Sequence, residues 1–333
     1  MPEILYDARW IGNRGRGLRL AGPLLKLLPG LKPFLTKRRP QHPLDPVLLG
    51  AALWLRKPAL FFSPGYNPPI GWPHPFVFTV HDLNHLRVAE NSTPAKRAYY
   101  QYVIRPACHT AAFVLTVSEY SRNEIREWTK VKDEKIVNVG NGVGMPFTAS
   151  GGRYDPGYPY LLYVGNRKPH KNLPRLLKAF ALSGVHRSVR LVLTGLQDPQ
   201  TSALIASLGL NGDVRFVESP EDEGLADLYR GAQGLVFPSL YEGFGLPPLE
   251  AMGCGVPVLT SNVCARPEVV GDAAVFVDPF EVESIAEGIR RLTEDDALRE
   301  ELRRKGLERA RRFPWDETAR KTWEVLQVAA AAK

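Results

Sequence analysis

The chain has 333 residues, and at about 150 residues per domain this length predicts two domains, each able to bury its own core. Hydrophobic residues make up 44% and charged residues 23%, and only three cysteines are present, which excludes a disordered tail, a disulfide-stapled scaffold and a membrane-spanning bundle. The net charge is +8, and all of the excess lies in residues 1–150, which favours an anionic partner for that half.

Short apolar runs alternate with longer segments of helical periodicity in both halves of the chain. This alternation predicts an α/β fold with parallel sheets, built from repeated strand-helix units. In the first half the predicted strands are 4–6, 60–63, 76–80, 113–117 and 136–139. In the second half they are 160–164, 189–194, 214–217, 234–237, 256–260 and 275–277.

Residues 140–158 are dense in glycine and proline, and no regular element would tolerate this composition. They predict a linker, with a first domain over residues 1–150 and a second over 151–313. A further break at Pro314 precedes an amphipathic stretch, residues 315–328, which predicts a terminal helix. The alanines that follow it are expected to fray.

The most informative stretch is residues 238–258. It follows an apolar strand, so it begins at the edge where parallel sheets bind ligands. Its glycines allow a close backbone approach, and Pro247 and Pro248 predict that a helix starts there, with free N–H groups available to an anion. Glu250 then falls in the first helical turn, and Glu242 lies in the loop before it. Each acid alone is explained as a helix-end or loop residue, but the combined pattern favours a ligand site.

A second motif follows the predicted strand 160–164 and contains Arg167, Lys168 and Lys171. Cations at a strand-to-helix turn suit a diphosphate leaving group, because its negative charge grows as the bond to it breaks. The alternative is a solvated basic loop, since Lys and Arg side chains are usually exposed.

Together these motifs resemble a known family. Glu242 and Glu250, inside EGFGLPPLEAMGCGVPVLTS, are similar to the signature of the family 4 retaining glycosyltransferases. The likeness extends over DARWIGNRGRG, FTVHDLNHL, TVSEYSR, NGVGMPF, YVGNRKPHKN and FPWDETARKTW. The resemblance implies the GT-B fold, in which two Rossmann-like domains face a central cleft. It also implies that the terminal segment, residues 314–333, packs back on the first domain.

The resemblance implies that the second domain binds a nucleotide-sugar donor and that the first faces the acceptor. Glu250 would accept hydrogen bonds from the ribose diol, and Glu242 would hold hydroxyls of the donor sugar. The backbone N–H groups of Phe244, Gly245 and Leu246 would lie near the sugar and the phosphates.

The same resemblance implies that Arg167 and Lys171 stabilise the diphosphate leaving group. The family's arginine often follows the glycine directly, whereas this chain has Asn166 at that position, so Lys168 is an alternative to Arg167.

His81 ends the apolar run 76–80 and is expected at the ligand edge of the first sheet, where the resemblance implies a place beside the donor sugar. The alternative is a histidine that contacts a loop carbonyl. His85, four residues later, would suggest a metal site with His81, but the sequence has no carboxylate or cysteine cluster to complete it, so no metal site is expected. Gly15 and Gly17 lie in a glycine-rich turn that does not match the dinucleotide fingerprint; by resemblance, this turn would close over the donor phosphates.

The resemblance implies a metal-independent retaining transferase, with no cofactor, that moves a hexose from a nucleotide diphosphate sugar to a glycan or lipid-linked acceptor. VHDLNHL and VGNRKPHKN resemble bacterial mannosyl and related hexosyl transferases of surface polysaccharide and lipopolysaccharide assembly, which favours GDP-mannose over UDP-glucose or UDP-N-acetylglucosamine. The alternative classes are a GT-B epimerase or phosphorylase and a nucleic-acid-binding protein. Nucleic acid is disfavoured because the aromatic residues do not interleave with the basic ones as a stacking platform would.

The basic excess is concentrated in residues 1–40, which contain nine Lys or Arg and two acids. Within them, residues 18–40 interleave leucine and phenylalanine with six cations. Two interpretations explain this pattern: an ordinary helix with a solvated loop, or a patch that binds an anionic membrane surface. Because Glu3 and Asp7 replace the basic flank of a signal peptide, the expected location is the cytoplasm. If residues 18–40 bind membrane, the expected place is peripheral, at the inner face of the plasma membrane.

Overall fold

Two parallel sheets organise the residues that the computed structural model describes, namely 3–8, 31–34, 44–218 and 221–331. The first has the order β2-β1-β3-β4-β5-β6, with strands β1 Ile4–Asp7, β2 Leu31–Phe34, β3 Leu60–Ser63, β4 Phe76–Thr79, β5 Phe113–Thr116 and β6 Ile136–Asn138. The second has the order β12-β11-β10-β7-β8-β9, with strands β7 Tyr160–Tyr163, β8 Arg190–Thr194, β9 Val214–Val217, β10 Gly234–Phe237, β11 Val258–Ser261 and β12 Ala274–Val277.

Helices connect most of these strands. In the first half of the described chain they are α1 Asp45–Arg56, α2 Asn84–Arg87, α3 Pro94–Tyr99, α4 Arg105–Thr110 and α5 Glu119–Thr129, with a π-helical turn at Tyr100–Ile104. In the second half they are α6 Leu173–Ser183, α7 Pro199–Ser207, α8 Asp222–Gly231, α9 Leu246–Gly253, α10 Arg266–Val270, α11 Val282–Glu294, α12 Asp296–Ala310 and α13 Trp315–Ala331.

The central strands are buried along their whole length because parallel sheets are covered on both faces. All four residues of β3 and all four of β7 are buried. Every strand that the sequence predicts is present, within two residues of the predicted ends. The sequence analysis missed β2, which pairs with β1 and ends the strand order. Its sequence, LKPF, contains a proline, which an edge strand tolerates because one side of such a strand has no ladder partner.

The chain divides into two compact units, residues 1–142 with 314–333, and residues 143–313. The division at residue 142 lies inside the glycine-rich segment 140–158. Helix α13 belongs to the first unit, where Ala319 and Leu326 are buried in a cluster with residues of β1 and β3. The expected fraying of the terminal alanines is wrong for Ala329 and Ala330, which lie in the same buried cluster.

The strand order of the second sheet creates a topological switch point. The chain starts at β7, adds β8 and β9 on one side, and then returns to add β10, β11 and β12 on the other. The connections that follow β7 and β10 therefore leave neighbouring strands in opposite directions. Open α/β sheets bind ligands in the crevice between such connections, at the carboxyl ends of the strands.

Gly50 lies inside α1, where the loop after β3 crosses the helix. A Cβ added at Gly50 would lie 1.9 Å from the carbonyl oxygen of Ile70. Alanine ordinarily stabilises a helix interior relative to glycine by about 1 kcal/mol. Here the clash displaces the loop, so Gly50→Ala is expected to lower the free energy of unfolding by about 1–3 kcal/mol in urea titrations.

The matched control is Ala51→Gly, at an exposed position of the same helix. It is expected to cost about 1 kcal/mol through helix propensity alone. A Gly50→Ala protein as stable as the wild type would contradict the close contact between α1 and the loop.

Candidate active site

Two loops form the crevice of the second unit, residues 164–172 after β7 and 238–245 after β10. The side chain of Asn172 joins them. Its amide donates hydrogen bonds to the carbonyl oxygens of Pro238 (2.9 Å) and Pro279 (2.7 Å). Asn172 itself has φ 60°, in the left-handed region that asparagine adopts more readily than most residues. Each loop is therefore positioned by the other, at the point where the strand order predicts a ligand.

Lys171 and Glu242 form a buried ion pair across these loops. The Lys171 Nζ lies 2.5 Å from Oε1 of Glu242, and the two side chains are 5% and 9% exposed. The ammonium group also lies 5.1 Å from the centre of the Phe237 ring. Burying two charges costs several kcal/mol per ion, and a well-packed apolar pair often replaces such a bridge without loss of stability. The pair is thus weak evidence for stability and stronger evidence for a polar ligand.

Arg167 is held in the first loop by contacts that leave part of its guanidinium group unused. Nη1 donates to the carbonyl oxygen of Gly165 (3.4 Å), and Nε lies 3.5 Å from Oδ2 of Asp198. The group also lies 5.6 Å from the centre of the Phe216 ring. Within the described residues, Nη2 is buried without a hydrogen-bond partner. Arg167 therefore keeps the N–H donors of Nη2 for an anion.

The surroundings of Arg167 shift the pKa values of two neighbours. Hydrogen bonds from Thr201, together with the positive charge of Arg167, lower the pKa of Asp198. Burial raises the pKa of Tyr163, so its hydroxyl stays protonated and donates to a carbonyl oxygen of the same loop (3.1 Å).

Lys168, the alternative cation in the same loop, is exposed. Of the two alternative cations, Arg167 is the one that packs inside the loop.

The second loop ends in a glycine that begins a helix. Gly245 has φ 102° and is the N-cap residue of α9, in a backbone region that other residues rarely adopt. Pro247 and Pro248 have no N–H, so the N–H groups of Gly245 and Leu246 are the ones that lack helical acceptors at this end of α9 and favour an anion. Phe244 and Leu246 are buried, and the Phe244 ring packs 5.9 Å from that of Phe313. These two positions can therefore offer a ligand their backbone rather than their side chains.

Glu250 is the fifth residue of α9, so its predicted place in the first helical turn is wrong. The helix begins at Leu246, one residue before Pro247. Since the helix dipole acts mainly within the first turn, it does not explain this acid. The carboxyl group is buried and accepts a hydrogen bond from the Tyr229 hydroxyl at Oε2 (3.0 Å). A fixed, buried carboxylate in the helix of the glycine loop is suited to binding hydroxyl groups.

Sequence reasoning missed three residues around this crevice. Tyr229 positions Glu250, and no sequence signal distinguishes it from an ordinary apolar-face residue of α8. Ser239 is fully buried after β10, and its hydroxyl has no hydrogen-bond partner among the described residues. Arg266 is also fully buried, and its Cγ lies 3.7 Å from where a Cβ of Gly245 would be. An arginine shortly after the buried strand β11 is a signal that could have identified it.

His81 lies in the first unit, two residues after the end of β4. Its Nε2 is 3.0 Å from the carbonyl oxygen of Pro64, and its ring centre is 5.6 Å from that of Tyr66. This contact with a loop carbonyl is the one predicted by the alternative to a place beside the donor sugar. The cations, carboxylates and glycine loop described above all lie in the second unit. Gly15 and Gly17 lie outside the described residues.

A search for metal ligands and membrane spans adds two findings for the described part of the chain. It has no group of three or more His, Cys, Asp or Glu residues that could hold a metal ion. None of its helices combines the length and the apolar character that crossing a bilayer demands.

Two family descriptions match the chain and together span most of it. Residues 151–309 match glycosyl transferases group 1, and residues 7–145 match glycosyltransferase family 4. The O-antigen chain mannosyltransferase B of Escherichia coli is 33% identical over 281 residues, which cover 77% of this chain and 72% of that protein. The serotype-specific mannosyltransferase WbdA of Escherichia coli is 29% identical over 266 residues, which cover 74% of this chain and 32% of that protein.

The fold also matches a solved structure. A sucrose-phosphate synthase from Thermosynechococcus elongatus superposes with a TM-score of 0.81 at 20% identity, over 100% of both chains. The chain therefore belongs to the family 4 glycosyltransferases and has the GT-B fold, which confirms the predicted family and fold class. It is a glycosyltransferase.

Proposed function

We propose that this glycosyltransferase moves mannose from GDP-mannose to a glycan or lipid-linked glycan, with retention of configuration and without a metal ion. The names of the two Escherichia coli relatives support mannose as the sugar and a surface polysaccharide such as the O-antigen of lipopolysaccharide as the product. Within the structure, the observation that carries the proposal is the buried pair of Lys171 and Glu242 at the switch point of the second sheet.

Lys171 and Arg167 are proposed to bind the diphosphate of the donor. When the bond between C1 of the sugar and the diphosphate oxygen breaks, its electron pair moves onto that oxygen, and GDP gains negative charge. Ammonium and guanidinium groups that are already fixed in a buried crevice stabilise this charge with little reorganisation. Phe244, Gly245 and Leu246 would add backbone N–H donors at the start of α9.

The two carboxylates are proposed to bind hydroxyl groups at different parts of the donor. Glu242 would accept hydrogen bonds from the sugar, held in place by Lys171, while Glu250 would accept them from the ribose. Two acceptor oxygens match two adjacent hydroxyls, and burial removes the competition of water. The hydrogen bond from Tyr229 fixes the orientation of Glu250 before the donor arrives.

Retention of configuration requires the acceptor oxygen to approach C1 on the face from which the diphosphate leaves. In this proposal the acceptor hydroxyl transfers its proton to an oxygen of the departing diphosphate, so the charges balance and no protein nucleophile is needed. His81 is proposed to lie beside the donor sugar, and Gly15 and Gly17 are proposed to close over the phosphates, as the family resemblance implies.

A panel of nucleotides tests the donor. GDP is expected to raise the melting temperature, whereas UDP and dTDP leave it unchanged, because a ligand at a hundred times its Kd stabilises by about 2.7 kcal/mol. Transfer of labelled mannose from GDP-mannose in the presence of EDTA then tests the sugar and the independence of metal. Stabilisation by UDP alone would instead indicate a UDP-sugar enzyme. Donor conversion without an acceptor would indicate an epimerase, and dependence on inorganic phosphate a phosphorylase.

We also propose that the enzyme is cytoplasmic and binds the inner face of the plasma membrane peripherally, with no nucleic acid partner. The basic excess of residues 1–150 supports an anionic surface as the partner. Of the segment 18–40, for which a membrane-binding patch is one of two interpretations, only Leu31–Phe34 lies within the described residues.

A further inference from the structure

The outward side of α1 is apolar. Five large apolar side chains on this helix or at its N-cap are exposed, by between 38% and 88%: Leu44, Val47, Leu48, Trp54 and Leu55. Spacings of three and four residues place them along one side of the helix. The opposite side, which includes Leu49 and Leu53, is buried in the core of the first unit. Helix α1 is thus apolar on two faces, and among the described residues only the face with Leu49 and Leu53 is covered.

The apolar surface continues onto the loop after β3. The N–H of Ile70 donates to the carbonyl oxygen of Pro46 (2.9 Å), and Nε1 of Trp54 donates to that of Gly71 (2.8 Å). Ile70 is itself exposed and extends the surface. We call this surface the α1 platform: Leu44, Val47, Leu48, Trp54, Leu55 and Ile70.

The α1 platform concentrates the exposed apolar side chains of the protein. It holds six of the thirteen large apolar side chains that are exposed in the described chain. Single exposed apolar residues are normal, whereas a contiguous group of them marks an interaction surface.

The charge around the platform favours an anionic partner. Residues 44–81 contain two cations, Arg56 and Lys57, and one acid, Asp45. Asp45 is buried and accepts a hydrogen bond from the amide of Asn67 (2.7 Å), so it does not present a carboxylate at the surface. Arg56 and Lys57 are exposed at the end of α1. Over residues 44–81, which are all described, the surface therefore combines apolar side chains with cations and exposes no acid.

We propose that the α1 platform inserts into the headgroup region of an anionic lipid bilayer. A leucine-rich helix face with a tryptophan and flanking cations has the composition of helices that lie in this region. Leucine insertion would stabilise binding by burial of apolar surface, and Arg56 and Lys57 would attract the anionic headgroups. The inference deepens the proposed membrane association, on which it rests, and assigns the apolar contact to α1 rather than to residues 18–40.

Vesicle sedimentation of the full chain tests this inference. The wild type is expected to bind vesicles of equal parts phosphatidylcholine and phosphatidylglycerol, and to bind phosphatidylcholine vesicles much less. Leu55→Glu is expected to lower the partition coefficient about tenfold or more, since it replaces an inserted side chain with a charge. Leu196→Glu is the matched control, because Leu196 is 71% exposed in the second unit and the change in charge is identical. It is expected to lower binding far less.

Two further measurements separate insertion from simple adsorption. The fluorescence of Trp54 is expected to shift to the blue with anionic vesicles, and Trp54→Phe should remove that part of the shift. Arg56→Gln combined with Lys57→Gln is expected to weaken binding about thirtyfold, at about 1 kcal/mol for each cation. Equal binding by Leu55→Glu and Leu196→Glu would overturn the proposal. The proposal would also be overturned if the wild type did not bind vesicles, or if it formed dimers that Leu55→Glu abolished and Leu196→Glu did not.

The stabilisation by GDP distinguishes this inference from the proposed function. Leu55→Glu is expected to leave that stabilisation unchanged, because Leu55 lies in the first unit and outside the donor crevice. Vesicle binding without any response to GDP would leave the platform supported and remove the proposed donor. A normal response to GDP without vesicle binding would leave the proposed donor supported and remove the membrane role of the α1 platform.

Discussion

Replacing Lys171 by methionine is expected to lower kcat/KM for mannose transfer about a thousandfold, the largest effect of any single substitution in the crevice. A preorganised donor that meets developing negative charge typically contributes a factor of about a hundred to a thousand to kcat. Lys171 also contacts Glu242, so in the proposed mechanism one substitution removes the stabilisation of the leaving group and disturbs the contact with the sugar. Release of GDP from GDP-mannose with mannooligosaccharide acceptors measures the effect.

The buried pair requires a control for stability. Removing one partner leaves the other charge buried and uncompensated, which costs about 3–5 kcal/mol. Lys171→Met combined with Glu242→Gln keeps the volume and removes both charges, so it is expected to restore stability without restoring transfer. Recovery of transfer in this double variant would show that the pair serves only the fold. Lys168→Ala, which removes an exposed cation of the same loop, is expected to transfer normally.

Glu250→Ala is expected to raise the Kd for GDP about a hundredfold. A charged hydrogen bond contributes about 1.5–3 kcal/mol, and in the proposed binding mode the ribose offers two hydroxyls to this carboxylate. Because the ribose lies far from the bond that breaks, KM for the donor should rise more than kcat falls. Isothermal titration with GDP and 2′-deoxy-GDP provides the measurement. The wild type should lose affinity for the deoxy nucleotide, whereas Glu250→Ala should bind both nucleotides almost equally.

Two variants separate binding by Glu250 from support of the fold. Tyr229→Phe removes the hydroxyl that orients the carboxylate and is expected to raise the Kd for GDP about tenfold. Glu294→Ala removes an exposed acid of the same unit and should bind GDP as the wild type does. If Glu250→Ala retained full preference for GDP over 2′-deoxy-GDP, Glu250 would not be the ribose ligand.

Periodicity identified the elements whose burial is local in sequence. The second sheet was predicted strand by strand because parallel strands covered on both faces are short, continuous apolar runs. The same rule does not identify β2, because its sequence has no continuous apolar run. This strand forms by pairing with β1. It also misjudges the end of α13, because Ala329 and Ala330 have no amphipathic signal and are ordered by the first sheet on which they pack.

The site could be predicted in part for the same reason. The glycine loop, its prolines and its acids form one continuous stretch, so their spacing alone indicates a ligand site. The pairing of Lys171 with Glu242 joins side chains 71 positions apart, and no local pattern specifies it. Likewise, nothing near Tyr229 indicates that its hydroxyl meets Glu250, 21 positions away.

The sequence alone therefore determined the alternation of strands and helices, the linker segment and the residue types available to the crevice, because these depend on chemistry within about twenty residues. Only the tertiary structure decided which cations and carboxylates meet, where α9 begins, and which apolar side chains remain exposed on α1. Those outcomes depend on strand order and on packing between distant segments. A leucine in an amphipathic run looks the same in sequence whether a core covers it or leaves it at the surface.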